Sequence, residues 1–161
     1  MDSSLIIRRC DVGLGVFAGR RFAPGDHILT FRGPRVERDD PLHRSPRGGN
    51  LLQTGRRTYI DPALPAVLVN HSCNPNAGLV RNRRLVAIRE IPSGREIRFD
   101  YSTTMDDGLW RMDCRCGEPS CRRVVTDFGE LPPEVRDRYL ALGIVSGFIA
   151  GRYRRRASAV A

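Results

Sequence analysis

The chain has 161 residues, 40% of them hydrophobic, which is enough for one domain around a single core and too apolar for disorder to be the default. All 27 basic residues are arginine, against 18 acids, so the net charge is +9. No run reaches the roughly 18 apolar residues that span a bilayer, and "MDSSLIIRRCDV" has no basic lead ahead of its short apolar patch, so neither a membrane helix nor a secretory signal is expected and the protein reads as intracellular, cytoplasmic or nuclear.

In chain order, "GLGVFAGRRFAPGDHILTF" (residues 13–31) reads as two short strands, with Pro24 and Gly25 punctuating a hairpin. Residues 32–50, rich in Pro, Gly and Arg, lack periodicity and read as a surface insertion with room for one helical turn. "LLQTGRRTYIDP" predicts two strands around Gly55, and "LVAIREIPSGREIRFDY" two more with a turn at Pro92, Ser93 and Gly94. Many short strands and tight turns predict a mainly β fold. The end differs. In "LPPEVRDRYLAL", Pro133 suits a first helical turn, and Val135, Tyr139 and Leu142 are spaced for one face. Gly143 ends or bends that helix. "IVSGFIAGRYRRR" continues as a second short helix, and residues 154–161 read as a fraying tail. There is no internal repeat.

The charge is spread evenly. Residues 1–80 carry 11 Arg against 7 acids and residues 81–161 carry 16 against 11, an excess of +4 and +5; only residues 152–156, "RYRRR", form a concentrated run. This balance suits an acidic partner or a solvated, arginine-biased surface. Direct nucleic-acid binding is permitted by the charge and unsupported otherwise, because aromatics are 7% and no basic-aromatic platform is present.

Three of the five cysteines, Cys114, Cys116 and Cys121, form a C-x-C-x4-C cluster. Clustered thiols without a secretion signal indicate metal rather than disulfides. A structural zinc site takes four ligands, so a fourth comes from Cys73, Cys10 or a histidine (His27, His43 or His71). Cys73 is also open to a second reading, as a nucleophile with His71 as base, but no third group to orient that base is evident. Gly13-Leu14-Gly15 lets a ligand approach the backbone closely. The absence of a phosphate-binding loop motif and of a strand–helix–strand unit argues against a nucleotide site. Tyr101, closing "REIRFDY", reads by itself as core packing with its hydroxyl in water.

Together, "GLGVFA", "NHSCNPN", "IPSGREIRFDY" and "CRCGEPSCR", in that order over residues 13–122, resemble the SET-domain protein-lysine methyltransferases with a post-SET zinc segment. The resemblance implies a fold of small curved sheets, with the "NHSC" segment and a later loop threaded into a pseudoknot, plus short C-terminal helices. It implies a SET domain over residues 1–104, a post-SET zinc-binding segment over 105–124, and a C-terminal helical extension and tail over 125–161. The implied activity is methyl transfer from S-adenosylmethionine to a lysine amine of a protein substrate, a histone or another basic protein; a SET-like cofactor or peptide binding module without turnover is the alternative. By resemblance Tyr101 is the catalytic tyrosine. Gly13, Leu14, Gly15, Asn70, His71 and Tyr101 contact the cofactor, and Phe99 lines the substrate channel, where phenylalanine leaves space for products beyond monomethyl-lysine. Cys73, Cys114, Cys116 and Cys121 bind Zn2+. The chain departs from the family in "DPALPAVLVNHSC", which lacks the glycine-asparagine and arginine-phenylalanine of many members, and it has no cysteine-rich pre-SET segment.

Overall fold

Glycine, proline and asparagine interrupt the apolar runs every few residues, so the strands are short and the sheets small. The computed structural model describes residues 4–160, with side chains through residue 154. Residues 1–3, residue 161 and the side chains of Arg155 and Arg156, which belong to the basic run, lie outside the described residues. Strands β1 (Leu5–Cys10) and β2 (Gly13–Ala18) form an antiparallel hairpin, from Leu5 opposite Ala18 to Cys10 opposite Gly13. Strand β3 (His27–Thr30) pairs with β9 (Arg84–Ala87), which also pairs with β8 (Ala77–Val80). A second three-stranded sheet has the order β4 (Arg35–Glu37), β6 (Thr58–Ile60), β5 (Leu52–Gln53). Two-residue ladders join β7 (Asn70–His71) to β10 (Arg98–Phe99) and β11 (Met112–Asp113) to β12 (Val124–Val125). Helices α1 (Pro133–Ala141) and α2 (Gly147–Val160) follow. The mainly β expectation holds.

Residues 13–31 do contain two strands, but they do not form a hairpin with each other. β2 pairs with β1 through the turn at Asp11 and Val12, and β3 finds β9. β1 escapes the sequence reading because "LIIRRC" does not alternate; Ile6 and Ile7 are both 46% exposed. The other edge of β2 bonds to the later chain. Ala18 N–H donates to Arg95 O at 2.8 Å and Ile97 N–H donates to Val16 O at 2.8 Å. The glycine-rich strand is thereby fixed beside "GREIRFDY".

The insertion contains β4 and two single 3-10 turns, Pro41–Arg44 and Gly48–Asn50. The Asp40 carboxylate caps the first by accepting from Leu42 N–H at 2.8 Å. A three-residue strand is too short to show a period.

The main core gathers Val16, Phe22, Phe31, Ile60, Leu79, Leu85, Ile97 and Phe99 from most of the strands. A second cluster, Phe128, Leu131, Tyr139, Ile144, Val145 and Ile149, holds the C-terminal segment. That segment lies flat on β8 because residue 78 is glycine: a Cβ there would stand 2.5 Å from Ile144 Cγ2. In α1, Pro133 occupies the first turn, and Gly143, at φ +68°, closes the helix in the left-handed region. Tyr139 is fully buried but Leu142 is 46% exposed, so the predicted face is narrower than its spacing suggested; Leu131 and Ile144, outside the helix, complete the contact. α2 continues to Val160 in place of a short helix and tail, since "RYRRRASAV" contains no helix breaker.

Candidate active site and thiolate cluster

β7 and β10 are parallel, with Asn70 opposite Arg98 and His71 opposite Phe99, so "NHSC" and "RFDY" lie side by side. Asn76 locks this register. Its Oδ1 accepts from Arg98 N–H at 2.9 Å, and its Nδ2 donates to Glu96 O at 2.8 Å. A side-chain amide pairing with a strand 20 to 22 residues away in the chain leaves no local signal in the sequence.

Asn70 joins this pair to the glycine-rich strand. Its Nδ2 donates to Leu14 O at 3.0 Å and to Glu96 Oε1 at 2.9 Å, and it lies 3.4 Å from Cys10 Sγ. A Cβ at Gly15 would sit 2.5 Å from Glu96 Oε1 and 3.1 Å from Asn70 Nδ2, so a side chain there would displace the Asn70–Glu96 pair. The result is a cavity of about 440 Å³, which falls in the range of small-molecule sites. Asn70, His71, Phe99 and Tyr101 line it. Gly13, Leu14 and Gly15 are not part of its lining; Leu14 and Gly15 adjoin Asn70, and Cys10, Asp11 and Val12 form the wall on the hairpin side.

The aromatic part of the wall is continuous. Phe99 is edge-on to Phe31 at 5.7 Å and tilted against Tyr101 at 4.9 Å, and Trp110 lies 6.2 Å beyond Tyr101. Phe31, Glu96 and Trp110 were not predicted as site residues; Phe31 and Trp110 lie outside the motif strings, and Glu96 lies inside "IPSGREIRFDY" but its contact with Asn70 is long-range. The Tyr101 hydroxyl donates to Val69 O at 2.9 Å. Burial, and next the Glu96 charge, push its pKa up, so the phenol stays protonated. With its proton on Val69, its oxygen can accept a hydrogen bond from a group in the cavity. The sequence-alone default for Tyr101, a packed ring with its hydroxyl in water, is therefore replaced by a hydroxyl held at a cavity wall.

On the far side of His71 the thiols converge. Cys73, Cys114 and Cys116 lie together with His71, their ligand atoms all within 4.8 Å of one another, and Cys121 packs against the same cluster without joining that group. Cys73 Sγ and Cys114 Sγ are 3.7 Å apart. Zinc–sulfur bonds of about 2.3 Å at tetrahedral angles put sulfurs about 3.8 Å apart, so the spacing fits a shared metal. The charge chemistry fits as well. Burial pushes the Cys73 thiol up to about 11 and Cys114 higher still, while at Cys116 burial is outweighed by hydrogen bonds from backbone N–H groups and neighbouring thiols, which bring it down to about 7; a cation would favour the ionised form of all three. Backbone N–H groups already face the sulfurs: Arg122 N–H donates to Cys73 and Arg123 N–H to Cys121, each at 3.4 Å.

His71 stands between cavity and cluster. Burial, helped by the charges of Arg122 and Arg98 and opposed by Asp100, lowers its pKa to about 4, so the ring is neutral at neutral pH. Its Nδ1 accepts from Tyr101 N–H at 3.2 Å, which leaves the ring proton on Nε2, 3.3 Å from Cys73 Sγ. Nδ1 also lies 3.6 Å from Asp100 Oδ1, and both His71, whose ligand atom lies within the group, and Cys121, which packs against it, stand near enough to complete a four-ligand set. Both ring nitrogens are thus engaged inside the protein. The nucleophile reading of Cys73 also weakens, since its sulfur sits among thiols and backbone donors rather than facing the cavity.

Comparison with known proteins matches residues 13–102 to the SET domain family. The chain is 28% identical over 127 residues to Histone-lysine N-methyltransferase trr of Drosophila melanogaster, covering 69% of this chain and 5% of that protein. It is 30% identical over 146 residues to Histone-lysine N-methyltransferase, H3 lysine-36 specific, of Kluyveromyces lactis, covering 76% of this chain and 20% of that one. The chain therefore spans only a small part of these relatives' length. Among solved structures, Arabidopsis thaliana SUVH6 in complex with SAM superposes with a TM-score of 0.62 at 21% identity, over 76% of this chain and 32% of that one.

Proposed function

The chain belongs to the SET-domain family, and on that premise we propose that it is a protein-lysine N-methyltransferase using S-adenosylmethionine. The observation that carries this reading is the meeting of Asn70, Phe99 and Tyr101, from two separated motifs, on one aromatic-walled cavity. Asn70, with the Gly13–Gly15 backbone behind it and His71 beside it, holds the cofactor. S-adenosylmethionine supplies, when bound, a methyl group on a cationic sulfur whose charge disfavours a protonated amine nearby. A lysine amine has a pKa of about 10.4 in water and attacks only when neutral. The apolar wall of Phe31, Phe99 and Trp110 disfavours its charged form, and the Tyr101 oxygen, its own proton engaged by Val69, accepts an amine N–H and orients the nitrogen.

Cys73, Cys114, Cys116 and Cys121 hold one Zn2+ in this reading. The metal fastens residues 105–124 against the SET domain of residues 1–104, and residues 125–160 pack on as a helical extension. The relatives named above make histones the first substrates to try. The chain contains no lysine, so every methyl-lysine found in an assay lies on the substrate. Radiolabelled methyl transfer to histones and a panel of other lysine-containing proteins, followed by peptide mass spectrometry, is expected to show methyl-lysine. Binding of the cofactor with no transfer to any protein would favour a binding module.

Phe99 is 3% exposed and sits between Phe31 and Tyr101. A hydroxyl added there reaches into the space a methylated amine needs to turn. Wild type is expected to give products beyond monomethyl-lysine, and Phe99→Tyr to shift the distribution toward the monomethyl form by about tenfold, roughly 1.4 kcal/mol of discrimination. Product masses that are only monomethyl in wild type and unchanged in the variant would sink this assignment.

A further inference from the structure

Asp100 lies between Phe99 and Tyr101 in sequence, and its carboxylate is wholly buried. Four donors converge on it. Arg122 grips it with two N–H groups, at 2.7 and 2.9 Å; Ser102 N–H donates at 3.1 Å; and the Tyr139 hydroxyl donates at 2.9 Å. Arg122 follows the last cysteine of the thiolate cluster, while Tyr139 comes from α1, beyond the residues that match the family. Burial disfavours the Arg122 charge, but the hydrogen bonds to Asp100 and then its charge more than offset this and raise the Arg122 pKa.

The contact is one of a series. The C-terminal extension meets residues 100–106 along their length. Ser146 N–H donates to Thr103 O at 2.9 Å, Phe128 N–H donates to Met105 O at 3.0 Å, and Arg152 pairs with Asp106. The segment that carries Tyr101 is thus held from behind by the extension, on the side away from the cavity. Of these contacts, Tyr139 alone reaches the residue adjoining Tyr101 with a side-chain donor, and Tyr139 is itself 0% exposed. A buried carboxylate tolerates few arrangements of its partners, so the direction of the Asp100–Tyr101 backbone follows from where Arg122 and Tyr139 place their donors.

We propose that Tyr139 is a positioning residue for methyl transfer: through Asp100 it holds the Tyr101 backbone so that the hydroxyl stays on Val69 and faces the cavity. This rests on the methyl-transfer reading for its kinetic consequence. The test is Tyr139→Phe in the full chain, which keeps the ring and removes only the donor. The kcat is expected to fall about tenfold with KM for cofactor and substrate each within twofold, while amide exchange over residues 99–104 accelerates at least tenfold and the melting temperature drops only a few degrees. Leu142→Ala, at an exposed position just past α1, is expected to change none of these. An unchanged kcat, an unchanged exchange rate over residues 99–104, or a variant that fails to fold would each overturn the proposal, the last by making Tyr139 a general stability residue. If wild type transfers no methyl group, the methyl-transfer reading fails by itself, and the exchange measurement still decides whether Tyr139 holds the Tyr101 segment.

Discussion

Tyr101→Phe is expected to lower methyl transfer by at least about 100-fold, close to 2.7 kcal/mol at the barrier, with cofactor affinity within about twofold. The variant keeps the ring that packs against Phe99, His71 and Trp110. It loses only the hydroxyl, and with it the hydrogen bond to Val69 O. The cost to stability is then about 1–2 kcal/mol for one unmade bond at a buried carbonyl, too little to unfold the chain. A large fall in kcat with a modest change in melting temperature is therefore the signature of an orienting hydroxyl at the reacting centre. Steady-state kinetics beside thermal melts read both. Equal activity in Tyr101→Phe and wild type would remove Tyr101 from the chemistry.

Loss of the proposed zinc is expected to be the second large effect. Metal analysis of protein purified without chelators is expected to give one zinc per chain, and Cys114→Ser to give none. Cys114 is 8% exposed, in the middle of the cluster. Binding energy at such sites is folding energy, and even about 3 kcal/mol of it lowers the melting temperature of a domain this size by about 6–12 °C. Activity is expected to vanish with the metal, because Trp110, Met112 and Cys116, which border or belong to the zinc segment, are also cavity wall. Zinc absent from the wild-type protein, or a Cys114→Ser chain that keeps it, would contradict the assignment. The Cys73–Cys114 spacing of 3.7 Å and the donors on Cys73 and Cys121 are what the expectation stands on.

Much of this was legible in one dimension. The spacing of Cys114, Cys116 and Cys121 suggests a metal cluster, of which the structure groups Cys114 and Cys116 with Cys73 and His71, and the strings around Asn70 and Phe99 carry the family. Turn residues marked β5, β6, β9 and β10 correctly, because Gly55 and the Pro92–Gly94 turn act locally. The hairpin proposed for residues 13–31 failed for the opposite reason. Strand partners are chosen by long-range hydrogen bonds, and β2 found β1 on one edge and residues 95–97 on the other. The roles of Asn76 and Glu96, and of Asp100 under Tyr139, were invisible in the same way.

The sequence alone determined the kinds of chemistry available: thiols clustered for metal, an asparagine-histidine pair, a tyrosine closing a strand, and no lysine anywhere. These follow from residue type and short spacing, which the covalent chain specifies before it folds. Only the tertiary structure decided which atoms meet. It brought Asn70 to Leu14 and Glu96, divided His71 between Tyr101 and Cys73, and ran an α-helix tyrosine to Asp100 across 39 residues of chain. Those pairings depend on burial, because a carboxylate or imidazole removed from water must find its partners wherever the packed chain presents them.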